Sequence, residues 1–324
     1  MNTKATFLPR RETAQGQPRH VGFELEFGGL TFRDCLTTLK DNIEGDCEEV
    51  SSVEAEITHP VHGAFRLELD WQFLKNFARD RSLDPRAIDM MAEIAGTVVP
   101  MELVLPPLAF EEIDSADAII KALRSAGAHG TAHSPLYAFG VHINTEIPAL
   151  DAATLVRYLT AYCILQDYLV VAHRVDASRR LAPWIQPYGP DYIANVLDYG
   201  EPSFEELIDD YLAFNPTRNR ALDLLPIFAE VDEPRVRRTL PEEKINPRPA
   251  FHYRLANSEV DNPDWHISTE WNRWCLVERL ADSNAELGAL AHEYRRRLRA
   301  DTFATDAKWV DYMTSWLRQS FDER

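Results

Sequence analysis

The chain has 324 residues and carries 34 Lys and Arg against 52 Asp and Glu, a formal charge of -18. So acidic a balance argues against nucleic acid as a partner, because affinity for a duplex comes largely from Lys and Arg neutralising phosphates. With 45% hydrophobic residues, 10% aromatics and only 13 Gly, the chain can bury a sizeable core and belongs to no disordered, collagen-like or low-complexity class.

Residues 1–19 read as a flexible N-terminal arm, since Pro9, Pro18 and the run Gln15-Gly16-Gln17 interrupt any periodicity. That arm has no apolar run of the kind a secretory signal or anchor carries, and no later window offers roughly 18 uninterrupted apolar residues. Cys35, Cys47, Cys163 and Cys275 form no C-x-x-C pair, so the expectation is a cytoplasmic protein with reduced thiols and no membrane partner. From His20 onward, alternation of apolar and polar residues predicts strands over 21–27, 53–58, 65–71 and 98–105. A helix over 87–95 falls between them, with Asp84 as cap and Pro85 in its first turn. A second helix over 115–126 is stopped by Gly127, and a strand over 137–145 follows. Leu155, Leu159, Tyr162, Leu165, Leu169 and Ala172 recur at helical spacing, which predicts a long, mostly buried helix over 152–175. The stretch Glu230 to Pro249 holds Pro234, Pro241, Pro247 and Pro249 and reads as a loop that covers a site. A strand over 250–255 and helices from Thr269 complete the chain. Trp271, Trp274, Val277 and Leu280 are core positions of the first of these helices. The organisation expected is one domain over 20–283, with a C-terminal helical extension over 284–324 packed on it.

The chemistry is concentrated in the strands. In Gly22-Phe23-Glu24-Leu25-Glu26-Phe27-Gly28, Phe23, Leu25 and Phe27 take one face and Glu24 with Glu26 the other. On spacing alone this is also the pattern of an ordinary half-exposed strand. The arrangement recurs, however. Arg66, Glu68 and Asp70 share one face opposite Leu67, Leu69 and Trp71. Glu102 sits in an otherwise apolar run, where a carboxylate is costly unless paired or metal-bound. His142, Asn144 and Glu146 alternate with Val141, Ile143 and Thr145.

If these strands share one curved sheet with their polar sides together, Glu24, Glu26, Glu68, Glu102 and His142 converge. Carboxylates with one imidazole suit Mg²⁺ or Mn²⁺, and the same cluster without a cation repels itself. Such a basin suits phosphoryl transfer, in which divalent ions bridge phosphate oxygens and offset the charge that keeps ATP from an acidic protein.

Five segments, Gly22-Phe23-Glu24-Leu25-Glu26, the Glu68 strand after Gly63, Met101 to Leu108, Gly140-Val141-His142-Ile143-Asn144, and Phe251-His252-Tyr253-Arg254-Leu255, occur in this order. In that order they resemble the putative amidoligase family, over about residues 20 to 280. The resemblance implies an α+β catalytic fold similar to glutamine synthetase and glutamate-cysteine ligase, a curved and mostly antiparallel sheet with helices on its convex side. It also implies an ATP-dependent ligase that joins a carboxylate, on a small molecule or a peptide, to an amine. Glu24 and Glu26 then match the metal-binding acidic pair. Glu68 and Glu102 match further acidic residues that hold metal or approach the amine. His142 matches a residue touching both metal and nucleotide phosphates, with Asn144 beside it, and Arg254 matches the arginine facing the transferred phosphoryl group. Arg218 and Arg220 lie in a segment similar to one in which basic residues and a short apolar run follow the long helix; they suit an anchor for phosphate or a substrate carboxylate, or equally solvated charges at a capped helix start. One residue departs from the pattern: His252 stands where relatives carry a metal-binding glutamate.

Other basic groups read as structural. Arg235, Arg237 and Arg238 suit a solvated loop, and Arg295, Arg296, Arg297 and Arg299 suit a solvent face or a contact in a homo-oligomer. The chain lacks G-x-x-x-x-G-K-[ST], G-x-G-x-x-G after a strand, G-x-S-x-G and H-E-x-x-H, which removes several nucleotide, hydrolase and metalloprotease classes. Two alternatives to a ligase stay open on the residues alone. One is a metal-dependent hydrolase using the same carboxylates, the other a non-catalytic binding protein on the same scaffold.

Overall fold

The architecture comes from a computed structural model that describes residues 4–6, 8–69, 100–133, 138–299 and 307–321. Its first strand, β1 (His20–Phe27), alternates half-buried and buried residues along its whole length, as the sequence pattern demands. Helix α1 (Phe32–Asn42) follows, begun by Thr31, whose hydroxyl accepts the Asp34 N–H at 3.1 Å. Strands β2 (Asp46–Ser51), β3 (Glu54–His59) and β4 (Gly63–Leu69) form an antiparallel meander. Strands β5 (Met101–Val104) and β6 (Leu108–Ala109) return to β1, and helix α2 (Ala116–Ala126) ends at Gly127, whose φ of 106° is the left-handed conformation that glycine adopts most cheaply. After β7 (Gly140–Thr145) come helices α3 (Ala152–Ala172), α4 (Ala177–Leu181), α5 (Pro190–Asp198) and α6 (Phe204–Phe214). The short β8 (Leu222–Asp223), helix α7 (Leu225–Thr239), strand β9 (His252–Asn257) and helices α8 (Ile267–Asp282), α9 (Asn284–Arg299) and α10 (Ala307–Phe321) close the chain.

The described strands make one open, antiparallel nine-stranded sheet in the order β2-β3-β4-β5-β1-β7-β9-β8, with β6 paired to β1. The α+β expectation thus holds as a mixed helical and antiparallel-sheet fold. Helices α3 and α8 pack against one another and back the β9 end of the sheet. Tyr253 of β9 meets Tyr162 of α3 and Trp274 of α8, with ring centroids 6.1 and 5.1 Å apart. Helix α3 is long and apolar enough to cross a membrane, yet it lies mostly buried in this core.

Three expectations need correction or extension. The stretch read as a covering loop is helical as far as Thr239. Asp232 breaks the helix (φ -148°, ψ 75°) and its Oδ1 accepts the Arg235 N–H at 3.0 Å, so it starts a second helical piece. Pro234 then falls in that piece's first turn, where the missing N–H costs nothing. Only the residues after Leu240 are irregular, and they pass beside the site described below. Helix α1 and strand β2 were not anticipated. Residues 4–6 and 8–19, read as a loose arm, lie along α8: Trp271 Nε1 donates to the Thr6 carbonyl at 2.9 Å, and Arg19 pairs with Glu278 at 2.8 Å with both side chains fully buried. The predicted helix over 87–95, together with Asp70 and Trp71, lies outside the described residues.

Candidate functional site

Sheet register assembles the site. In β1, Glu26 lies opposite Glu102 of β5, and Glu102 lies opposite Glu68 of β4, so these three carboxylates form a row across neighbouring strands. On the other side of β1, Glu24 lies opposite His142 of β7, and Gly22 opposite Asn144. Directly opposed residues share a face, which gathers the acidic set on the side of β1 away from Phe23 and Leu25.

Around Glu24 the side chains are in contact. His142 Nδ1 is 2.6 Å from Glu24 Oε2, and Asn144 Nδ2 donates to Glu24 Oε1 at 2.8 Å. His142 Nε2 stands 3.5 Å from Glu26 Oε1. His252 of β9 turns the same way, with Nε2 at 3.4 Å from His142 Nδ1 and 3.7 Å from Glu24 Oε2. Burial by itself pushes the Glu24 carboxyl up, but the hydrogen bonds and charges of His142 and His252 overcome it and hold it well below the ordinary range. Burial pushes the His142 imidazole down, against the pull of Glu24.

When neutral, that imidazole has one proton, and two carboxylates face its two nitrogens. Whichever nitrogen holds the proton, the other presents a lone pair to a carboxylate oxygen. A cation resolves that conflict, and Glu24, His142 and His252 hold ligand atoms all within 4.8 Å of one another. The residues present thus fit a divalent ion bound by oxygen and nitrogen together.

Arginines border the cluster. Arg248 Nη2 donates to Asn144 Oδ1 at 3.3 Å and lies 3.7 Å from Glu24 Oε1. Arg254 Nη1 donates to the Arg218 carbonyl at 3.1 Å, and Arg218 Nε lies 3.7 Å from Asp223 Oδ2. The Nε atoms of Arg248 and Arg254 are buried without a hydrogen-bond partner among the described residues, an arrangement that an anionic ligand would complete. Arg220 does not join them: its Nη1 donates to the Pro187 carbonyl at 3.0 Å. Glu102 and Glu68 continue the carboxylate row one and two strands beyond Glu26, outside the trio around Glu24.

Three further residues escaped the sequence reading. Asp223, fully buried, faces His252 Nδ1 at 3.4 Å. Its signal was a charged residue inside the apolar run Leu222 to Leu225. Arg248 stands between two prolines that drew attention as loop markers only. Arg179 is buried with Nη2 donating to the Arg254 carbonyl at 2.6 Å, and no local pattern announces it. Behind β9, the Tyr253 hydroxyl meets His173 Nε2 at 2.7 Å, and His173 Nδ1 pairs with Glu270. The strand carrying His252 and Arg254 is thereby fixed from its apolar side.

These features define an α+β protein with a carboxylate and imidazole cluster on an open antiparallel sheet, bordered by arginines. The chain belongs to the putative amidoligase enzyme family, which it matches over residues 17–276. It matches no curated protein and no solved structure.

Proposed function

We propose that the protein is an ATP-dependent carboxylate-amine ligase on a scaffold of the glutamine synthetase kind, working in the cytoplasm. A carboxylate on a small molecule or a peptide attacks the terminal phosphorus of ATP, releasing ADP and leaving an acyl phosphate. An amine then attacks the acyl carbon and expels phosphate, which gives an amide. The proton lost by the amine passes to a carboxylate of the row, Glu68 or Glu102.

The observation that carries this reading is the meeting of Glu24, Glu26, His142 and His252 with arginine donors on one sheet face, in a chain of an amidoligase family. Glu24, Glu26, His142 and His252 would surround a divalent ion. Such an ion neutralises phosphate oxygens and orients them for in-line transfer. His142 and Asn144, both hydrogen-bonded to Glu24, would meet the nucleotide phosphates. Arg254 and Arg218 offer fixed positive charge where negative charge develops, at no cost of reorganisation during the reaction.

Calorimetric binding of ADP and ATP with and without Mg²⁺ or Mn²⁺, on wild type and on the double variant Glu24→Gln, Glu26→Gln, tests the reading. Metal-dependent nucleotide binding that disappears in the double variant is expected. Folded wild-type protein that binds no nucleotide would overturn it.

A further inference from the structure

The separations within the trio are those of a metal centre nearly closed. Glu24 Oε2 is 2.6 Å from His142 Nδ1 and 3.7 Å from His252 Nε2, and the two imidazole nitrogens are 3.4 Å apart. Ligand atoms held at about 2.1 Å around a tetrahedral ion lie about 3.4 Å from one another. Two separations already agree with that spacing to within about 0.3 Å, and the third opens when an ion takes the place of the shared proton.

The far nitrogen of each ring decides the kind of ion. His142 Nε2 faces Glu26 Oε1 at 3.5 Å, and His252 Nδ1 faces Asp223 Oδ2 at 3.4 Å. A carboxylate behind an imidazole accepts its N–H, fixes ring and tautomer, and leaves the opposite nitrogen bare toward the centre. Asp223 is itself held, because it is fully buried and its Oδ1 accepts the Leu225 N–H at 3.0 Å. Mg²⁺ makes poor use of such a site, since it takes oxygen ligands and retains its waters, whereas imidazole pairs suit Zn²⁺ and its transition-metal neighbours.

We propose that Glu24, His142 and His252 form a resident site for a nitrogen-preferring divalent transition metal of the Zn²⁺ kind, selective over Mg²⁺, with Glu26 and Asp223 orienting the two imidazoles. Glu26 thereby moves from metal ligand to positioning residue. The inference rests on the donor set and stands apart from the ligase reading, because it concerns metal binding without nucleotide.

The test uses the full chain stripped of metal, titrated calorimetrically with Zn²⁺ and separately with Mg²⁺, and with Co²⁺ followed by its visible absorption. Wild type is expected to bind one Zn²⁺ at least ~100-fold more tightly than Mg²⁺, with Co²⁺ bands as intense as four- or five-coordination gives. His252→Glu should shrink the Zn²⁺ to Mg²⁺ preference at least ~10-fold by restoring a hard ligand. Asp223→Asn should weaken Zn²⁺ by about 10- to 100-fold and leave Mg²⁺ unchanged. Circular dichroism melts establish that each variant folds, and His252→Ala serves as a second probe where the buried Asp223 position tolerates no change. Equal affinity for the two ions in wild type, or a Zn²⁺ preference that survives in both His252 variants, overturns the proposal. Nucleotide titrations on the same samples report on the ligase reading separately, so either idea can fail without the other.

Discussion

Gly140 and Arg179 make a steric lock at the edge of the site, and breaking it has a calculable cost. A Cβ built on Gly140 would lie 2.1 Å from Arg179 Nη1 and 2.7 Å from Nη2. That guanidinium is 2% exposed, and its Nη2 donates to the Arg254 carbonyl at 2.6 Å. Burial pushes its pKa down to about 10, so it remains charged at neutral pH. The Gly140 N–H also donates to Glu26 Oε2 at 2.6 Å, tying the same residue to the carboxylate row. Gly140→Ala keeps that N–H but forces overpacking worth about 1–3 kcal/mol and costs the charged hydrogen bond from Arg179 to the Arg254 carbonyl, worth about 1.5–3 kcal/mol, together about 4 kcal/mol. Unfolding entropy of about 2.1 cal/mol/K per residue over 324 residues turns that into a fall in Tm of roughly 6 °C. The decisive assay is a double-mutant cycle in urea. In an Arg179→Ala background the clash is gone, and Gly140→Ala should then cost under about 1 kcal/mol, a coupling of about 3 kcal/mol. Additivity within about 0.5 kcal/mol would refute the reasoning.

Three more outcomes follow from buried polar groups. Burial raises the Asp167 carboxyl from 3.8 to about 6, and its Oδ2 has no hydrogen-bond partner among the described residues. Because the folded value exceeds the unfolded one, the native state binds the extra proton, and the stability present below about pH 4 is lost as pH rises through about 6. Asp167→Asn should thus gain about 3 kcal/mol on wild type at pH 7.5 and much less at pH 4; a constant difference across that range in urea titrations contradicts the account. Glu278 receives Arg19 at 2.8 Å, Trp274 Nε1 at 3.1 Å and the Tyr158 hydroxyl at 2.5 Å in a fully buried setting. Glu278→Gln should cost about 3 kcal/mol by chemical unfolding, since it leaves the buried Arg19 charge uncompensated, and a loss under about 1 kcal/mol would show the pair to be dispensable. Tyr253→Phe removes the 2.7 Å contact to His173 and should cost about 1–2 kcal/mol. It should also loosen Zn²⁺ binding through β9, and an unchanged affinity would show that the strand is held without this bond.

What was legible in the chain, and what was not, follows from the range of each signal. Alternation with period two is local, so the faces of Glu24, Glu26, Glu68, Glu102 and His142 could be read directly, and the strand boundaries agree to within a few residues. The long helix was legible from the spacing of its apolar residues, while its cap Asp151, whose Oδ1 accepts the Thr154 N–H at 2.7 Å, went unread. The proline-rich stretch misled because prolines mark loops only when nothing places them in a first turn, and Asp232 does that here. Arg218 and Arg220, two residues apart in one run, looked equivalent. Their separation comes from their partners, Asp223 five residues from Arg218 and Pro187 thirty-three from Arg220.

Strand order is the step that no local pattern contains. Three neighbouring strands, β1, β7 and β9, each deliver one member of the trio, yet β7 and β9 are separated in sequence by more than 100 residues of helix and loop. A residue that looks like a departure in its own segment can therefore be a matched member of the assembled site. His252 is such a residue: in its strand it interrupts an acidic pattern, but in the sheet its two nitrogens meet Glu24 and Asp223, at 3.7 and 3.4 Å. Asp223 is held independently by Arg218 at 3.7 Å and by the Leu225 N–H at 3.0 Å, so it stands ready behind the imidazole as a fixed charge. The pairing of His252 with Asp223 at 3.4 Å thus orients the ring, turning its other nitrogen toward Glu24 as the proposed metal site requires.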